Sequence, residues 1–127
     1  MSESAYWKQR NRPVRLTQRE SDLQRTILGY LDLKSIFHFR SNTGAIKFSR
    51  PDGKGRFVRF GVRGQADILC CIKGQFVAIE CKAEDGEQTL AQKEWQAGLE
   101  RAGGFYILAR KLEDVTEVLE APSNSRR

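Results

Sequence analysis

Asp67 and, thirteen residues later, Glu80-Cys81-Lys82 set two acids and a lysine around one short turn. Lys73-Gly74 has the form of a two-residue hairpin turn with glycine in second place. With that turn, Asp67 falls directly across from Glu80, the two Cβ atoms about 4.5–5.5 Å apart. Side chains alternate along a strand, so Lys82 shares the Glu80 face while Ile68, Cys70, Ile72, Val77, Ile79 and Cys81 make the other face apolar. The apolar face is core. Like charges directly opposed in a ladder are unfavourable, and a divalent metal ion between them removes the conflict. Asp67, Glu80 and the backbone carbonyl of Cys81 are hard oxygen ligands, suited to Mg²⁺ or Mn²⁺. A metal so held activates water and neutralises a phosphoryl oxygen, and an adjacent ammonium orients the nucleophile. This is chemistry for cutting phosphodiesters. The plainer alternative makes Asp67 the end of a turn and Glu80 and Lys82 solvated strand-end charges.

At 127 residues the chain is one domain, long enough for a core without disulfide staples. The net charge of +6 points to a polyanionic partner. Its placement is uneven. Lys8, Arg10, Arg12, Arg15 and Arg19 precede Glu20 with Glu3 as the one acid among them. From residue 40 to 63, Arg40, Lys47, Arg50, Lys54, Arg56, Arg59 and Arg63 face Asp52 alone, a pattern suited to tracking phosphates. The three cysteines, Cys70, Cys71 and Cys81, lie in apolar segments and suit reduced thiols in a core. With His38 as the single histidine, a zinc site has poor support. No run approaches the ~20 apolar residues of a membrane span, and the N-terminus lacks the apolar core of a signal peptide. A cytoplasmic protein is expected.

Residues 1–15 read as a flexible basic arm, residues 16–120 as the folded domain, and residues 121–127 as a frayed tail. Thr17-Gln18-Arg19-Glu20 is a capping box, and Leu23, Ile27 and Leu31 at four-residue spacing predict a helix to about Leu33. Ile36 to Arg40 reads as a strand. Asn42-Thr43-Gly44 and Pro51 to Gly55 are loop sequences around a short segment at Ile46–Phe48, and Phe57 to Phe60 is strand-like. The hairpin 66–72 and 75–82 comes next. Thr89-Leu90-Ala91-Gln92 is a second capping box, opening a helix to about Arg101 with Leu90, Trp95 and Leu99 inward. Gly103-Gly104 ends it, Phe105 to Ala109 is a strand and Leu112 to Leu119 a last helix. The order implies a mixed sheet flanked by helices, an α/β fold of the α+β kind.

Taken together, Arg40-Ser41-Asn42-Thr43-Gly44, Gly61 through Ile68, Ile79-Glu80-Cys81-Lys82 and Gln92 to Trp95 leading into Gly103-Gly104 resemble the PD-(D/E)XK nucleases, and within them the virus-type replication-repair nuclease (VRR-NUC) domain. The resemblance runs from about Leu16 to Ala109. It implies a restriction-endonuclease-like core, and an acid from the first helix at the metal, a position that Glu20 fits. Ala66 stands where the motif's name has proline, a residue that supplies no ligand. Glu20 and Gln92 each have a second reading as the capping-box residue of its helix. Asn42 reads first as a turn former and second as a site contact.

The leading expectation is a Mg²⁺- or Mn²⁺-dependent DNA endonuclease. Asp67, Glu80, the Cys81 carbonyl and Glu20 hold the metal, Lys82 positions water, and Gln92 supports Lys82 or a phosphate. Arg40, Asn42, Lys47, Arg50, Lys54, Arg56, Arg59 and Arg63 take the DNA. Stand-alone domains of this kind are dimeric enzymes that cut four-way (Holliday) junctions, so the resemblance also implies a homodimer, branched DNA, and the cytoplasm of a bacterium or phage-infected cell. A catalytically silent nucleic-acid binder and a nicking or restriction-type enzyme are the alternatives. The Phe37, Phe39, Phe48, Phe57 and Phe60 stretch is core or, equally, an interface.

Overall fold

A computed structural model describes residues 17–41 and 44–121, with the backbone alone at residues 44–48 and 57–60. The expected basic arm, Asn42 and residues 122–127 of the expected tail lie outside the described residues, as do the side chains of Lys47, Arg59, Phe48, Phe57 and Phe60.

Thr17 caps the first helix, α1 (Gln18–Leu33), its Oγ1 accepting from Glu20 N–H at 3.1 Å. Strands β1 (Phe37–Arg40), β2 (Gly44–Ser49), β3 (Gly55–Phe60), β4 (Ile68–Ile72) and β5 (Gln75–Cys81) follow, then α2 (Leu90–Arg101), β6 (Phe105–Ala109) and α3 (Leu112–Leu119). These are the expected elements in the expected order. The main sheet runs β1-β4-β5-β6, antiparallel except for the parallel pair β5 and β6, whose crossover is α2. It is therefore a mixed sheet. Strands β2 and β3 pair with each other as a separate two-stranded sheet, a feature that local strand signals do not convey.

Lys73 and Gly74 both have positive φ, 50° and 80°, the requirement of a type I′ hairpin turn. The resulting register pairs Ile68 with Ile79 and Ile72 with Gln75. One residue further, it sets Asp67 across from Glu80. Two apolar layers result. On one side Ile68, Cys70, Val77, Ile79 and Cys81 meet Ile27 and Leu31 of α1 and Val115 of α3. On the other, Ala66, Leu69 and Ala78 are covered by Trp95 and Leu99 of α2 together with Tyr106. Cys70 and Cys81 are buried and Cys71 is exposed, which corrects the expectation that all three are core. The reason is alternation: Cys71 pairs with Phe37 and Phe76 on the face that α2 covers only in part. Phe37 (72 % exposed) and Phe39 (53 %) sit on the same face and are not core either. No helix among the described residues is long and apolar enough to cross a membrane.

Gly64 binds the loop before β4 to the helix over it. Its φ is +79°, and a Cβ there would run into the backbone carbonyl of Ala91 in the first turn of α2. Gly74 has the same sign of φ, but a Cβ there meets open space. Gly64→Ala is thus expected to lower stability by about 2–4 kcal/mol, left-handed strain plus overpacking, and Gly74→Ala by about 1–2 kcal/mol, strain alone. Urea unfolding of both variants measures the difference; equal losses would mean that α2 does not press on Gly64.

Candidate active site

Asp67 lies in the last step of the loop entering β4, where Ser41 N–H donates to its carbonyl at 2.8 Å. Its Oδ2 accepts from Cys81 N–H, also at 2.8 Å, so the carboxylate is tied across to the end of β5. Glu80 is 1 % exposed. Its Oε1 accepts from Gln92 Nε2 at 3.0 Å, and its Oε2 is buried with no hydrogen-bond partner. The Asp67 carboxyl stands within hydrogen-bonding reach. Burial, and next the charge of Asp67, push the Glu80 carboxyl up to about 9, with Lys82 opposing. Burial also raises Asp67, against the pull of the Cys81 N–H, Glu80 and Lys82. Without a cation, the pair therefore holds a proton near neutral pH.

Lys82 is 6 % exposed, and its charge acts on both acids. Its backbone N–H donates to Ala109 carbonyl at 2.9 Å, which fixes the strand end to β6. Gln92 serves two roles at once. Its Oε1 accepts from Thr89 N–H at 2.8 Å while its own N–H donates to Thr89 Oγ1, completing the capping box. The amide is thereby oriented with Nε2 toward Glu80. Cap and site contact are not alternatives here, and Gln92 holds Glu80 rather than Lys82.

Glu20 approaches from α1 over the end of β5. Its Oε1 accepts from Ala83 N–H at 3.3 Å, and its charge raises Asp67 and Glu80 further. Among the described residues no three His, Cys, Asp or Glu side chains form a group that could hold a metal; the contact that Glu20 makes is with Ala83, beside the acid pair. Arg110, which has no motif to announce it, grips the carbonyl of the same residue. Its Nη1 donates to the carbonyls of Ala83 and Gly86, each at 2.7 Å, and of Glu84 at 3.1 Å. The only sequence sign was a cation just past a buried strand.

The donor set fits a hard divalent cation in one respect that the structure itself supplies. Each acid is held by one oxygen, and Glu80 Oε2 is left buried without a donor. Mg²⁺ is commonly bound through one or two carboxylates, waters and substrate phosphate rather than in an all-protein cage. Within a strand the N–H and C=O of one residue point to the same neighbour, so the Cys81 carbonyl opens toward Asp67, as its N–H does. The Cys81 thiol lies in the core on the opposite face and is raised by burial, which excludes it as a thiolate ligand. Of the expected DNA contacts, Arg40 ends β1 one residue before Ser41, and Arg63 is half-buried in the loop to Asp67. Arg50, Lys54 and Arg56 are exposed at the turn end of the β2–β3 hairpin.

Glu80 makes stability depend on pH. A carboxyl whose folded value is raised from 4.5 to about 9 contributes stability that is present below 4.5 and lost as pH climbs to about 9. The slope from this group is at most roughly 1.4 kcal/mol per pH unit. Glu80→Gln keeps the shape of the protonated acid without the titration, so in EDTA it is expected to melt several degrees above wild type at pH 8 and at the same temperature at pH 4.5. Thermal melts across that range test this, and a variant no more stable at pH 8 would show that Glu80 is not the buried titrating group. Compared with known proteins, the chain matches no family model, no curated protein and no solved structure.

Proposed function

We propose that this chain is a metal-dependent DNA endonuclease of the virus-type replication-repair kind, built on a PD-(D/E)XK core. The observation that carries the reading is the acid pair, half-buried Asp67 opposite buried Glu80, with a buried lysine two residues on in a chain of net charge +6. A binder of nucleic acid has no use for two opposed acids withdrawn from solvent, which repel its ligand and each other. Asp67, Glu80 and the Cys81 carbonyl would hold Mg²⁺ or Mn²⁺, which when bound supplies Lewis acidity toward water and a phosphoryl oxygen.

The chain's own groups do the rest. Lys82 is an ammonium kept beside the acids by burial and by the Ala109 contact; it orients the attacking water and stabilises charge developing on the phosphate. Gln92 keeps Glu80 from rotating. Glu20 and Arg110 hold the Ala83 peptide, and with it the direction of Lys82.

Two symmetry-related cuts resolve a four-way junction, and a single site makes one, so a two-fold dimer is the working unit of this proposal. What supports a dimer is an edge strand, β1, carrying the exposed Phe37 and Phe39, with exposed Phe76 on the same face.

Asp67→Asn, Glu80→Gln and Lys82→Ala are each expected to lower Mg²⁺-dependent cleavage by about a thousandfold or more, with DNA affinity unchanged or tighter and the fold intact. Cleavage and gel-shift assays on protein free of wild-type carry-over check this; full activity in Asp67→Asn would sink the site. For the assembly, light scattering at micromolar concentration should give a dimer, and a four-way junction should be cut faster than linear duplex. A monomer that cuts both equally would leave a simple nicking enzyme.

A further inference from the structure

The β2–β3 hairpin is an addition that the sheet does not need. Strands β1 and β4 are antiparallel neighbours, with Arg40 paired to Ile68 and Ser41 N–H bonded to Asp67 carbonyl. A connection of two to five residues closes such a pair. Here the chain leaves at Ser41, builds a two-stranded sheet that pairs only with itself, and returns at Asp67. The root of the excursion is thus pinned to the residue at the centre of the acid pair.

Its charge is one-sided. Residues 44–63 carry Lys47, Arg50, Lys54, Arg56, Arg59 and Arg63 against Asp52, and Asp52 is tied up in the tip, its Oδ1 accepting from Lys54 N–H at 2.9 Å. Arg50, Lys54 and Arg56 are exposed and form no ion pair with an acid among the described residues. A hairpin whose charge served only the fold would balance it; among the described residues, Arg50, Lys54 and Arg56 face solvent.

We infer that β2–β3 is an arm for double-stranded DNA beside the cut, gripping phosphates of the flanking duplex while its root sits at the scissile one. The inference deepens the nuclease reading and rests on its premise that DNA is the substrate. A two-stranded ribbon has the width that a major groove admits. Six residues per strand span roughly 20 Å at ~3.3 Å each, or about six base pairs at ~3.4 Å. The arm therefore engages duplex that the acid pair never touches.

The test is binding of a labelled duplex extending well past that reach, and of one of its strands alone, in EDTA across a salt series, for wild type and the triple variant Arg50→Gln/Lys54→Gln/Arg56→Gln. The variant should lower the duplex salt slope by about 2–3 and weaken duplex binding at least about tenfold, with a smaller loss on the single strand and the same melting temperature. An unchanged slope and affinity, with wild-type cleavage intact, overturns the arm and leaves the nuclease standing. Loss of slope in a protein whose wild type never cleaves with metal keeps the arm and removes the nuclease. Equal losses on duplex and single strand overturn the commitment to duplex, and no wild-type binding removes both. If the triple variant fails to fold, Lys54→Glu at the exposed tip is read in the same assay and should lower the slope by about 1–2.

Discussion

The register between β4 and β5 is the constraint on which everything else depends. Shifting it by one residue would move Glu80 and Lys82 into the layer under α1 and turn Ile79 and Cys81 toward α2. The type I′ turn at Lys73-Gly74 sets the register locally, and the apolar layers lock it. Each fully buried Ile or Val contributes about 1.5–3 kcal/mol. Were both carboxyls ionised, charges about 4 Å apart would repel by roughly 4 kcal/mol at an effective dielectric of 20. Ile68, Val77 and Ile79, all without exposure, therefore outweigh the conflict that their own register creates between Asp67 and Glu80. Core packing holds an arrangement that electrostatics alone would push apart.

That imbalance is managed at close range by hydrogen bonds to one oxygen of each acid. Cys81 N–H belongs to the strand that carries Glu80, and Gln92 belongs to a helix whose start is fixed by Thr89. The start of α2 also carries the positive end of the helix dipole, which favours negative charge nearby. Between β5 and α2 the chain could wander, yet three contacts hold it. Glu20 takes the N–H of Ala83, Arg110 takes its carbonyl, and Gln88 reaches Gln96 and Tyr106. Strand end, loop and helix start are thus tied together, and Lys82 lies among them.

Charge is sorted by depth. Glu80 is buried and Asp67 half-buried between β4, β5 and α2, while Arg50, Lys54 and Arg56 stand in solvent at the turn end of a separate ribbon. Salt screens the exposed cations far more than it screens the acid pair. The exposed cations and the acid pair are thus separate features of the fold, joined at the Ser41 to Asp67 hydrogen bond.

The sequence alone determined whatever follows from neighbours along the chain. Glycine at the second turn position and strict alternation over residues 68–81 were sufficient to pair Asp67 with Glu80, and two capping boxes marked where α1 and α2 begin. The order of elements and the mixed sheet were legible for the same reason, since each rests on local periodicity. Only tertiary structure decided which far-apart residues meet. It turned Glu20 to Ala83, set the Gln92 amide on Glu80, and brought Arg110 onto the loop after Lys82. It also took β2 and β3 out of the main sheet and left Phe37, Phe39 and Cys71 uncovered. These outcomes depend on where α2 docks and how much of the sheet it covers. That is set by the shape of packed side chains from separate segments, a quantity that no local spacing encodes.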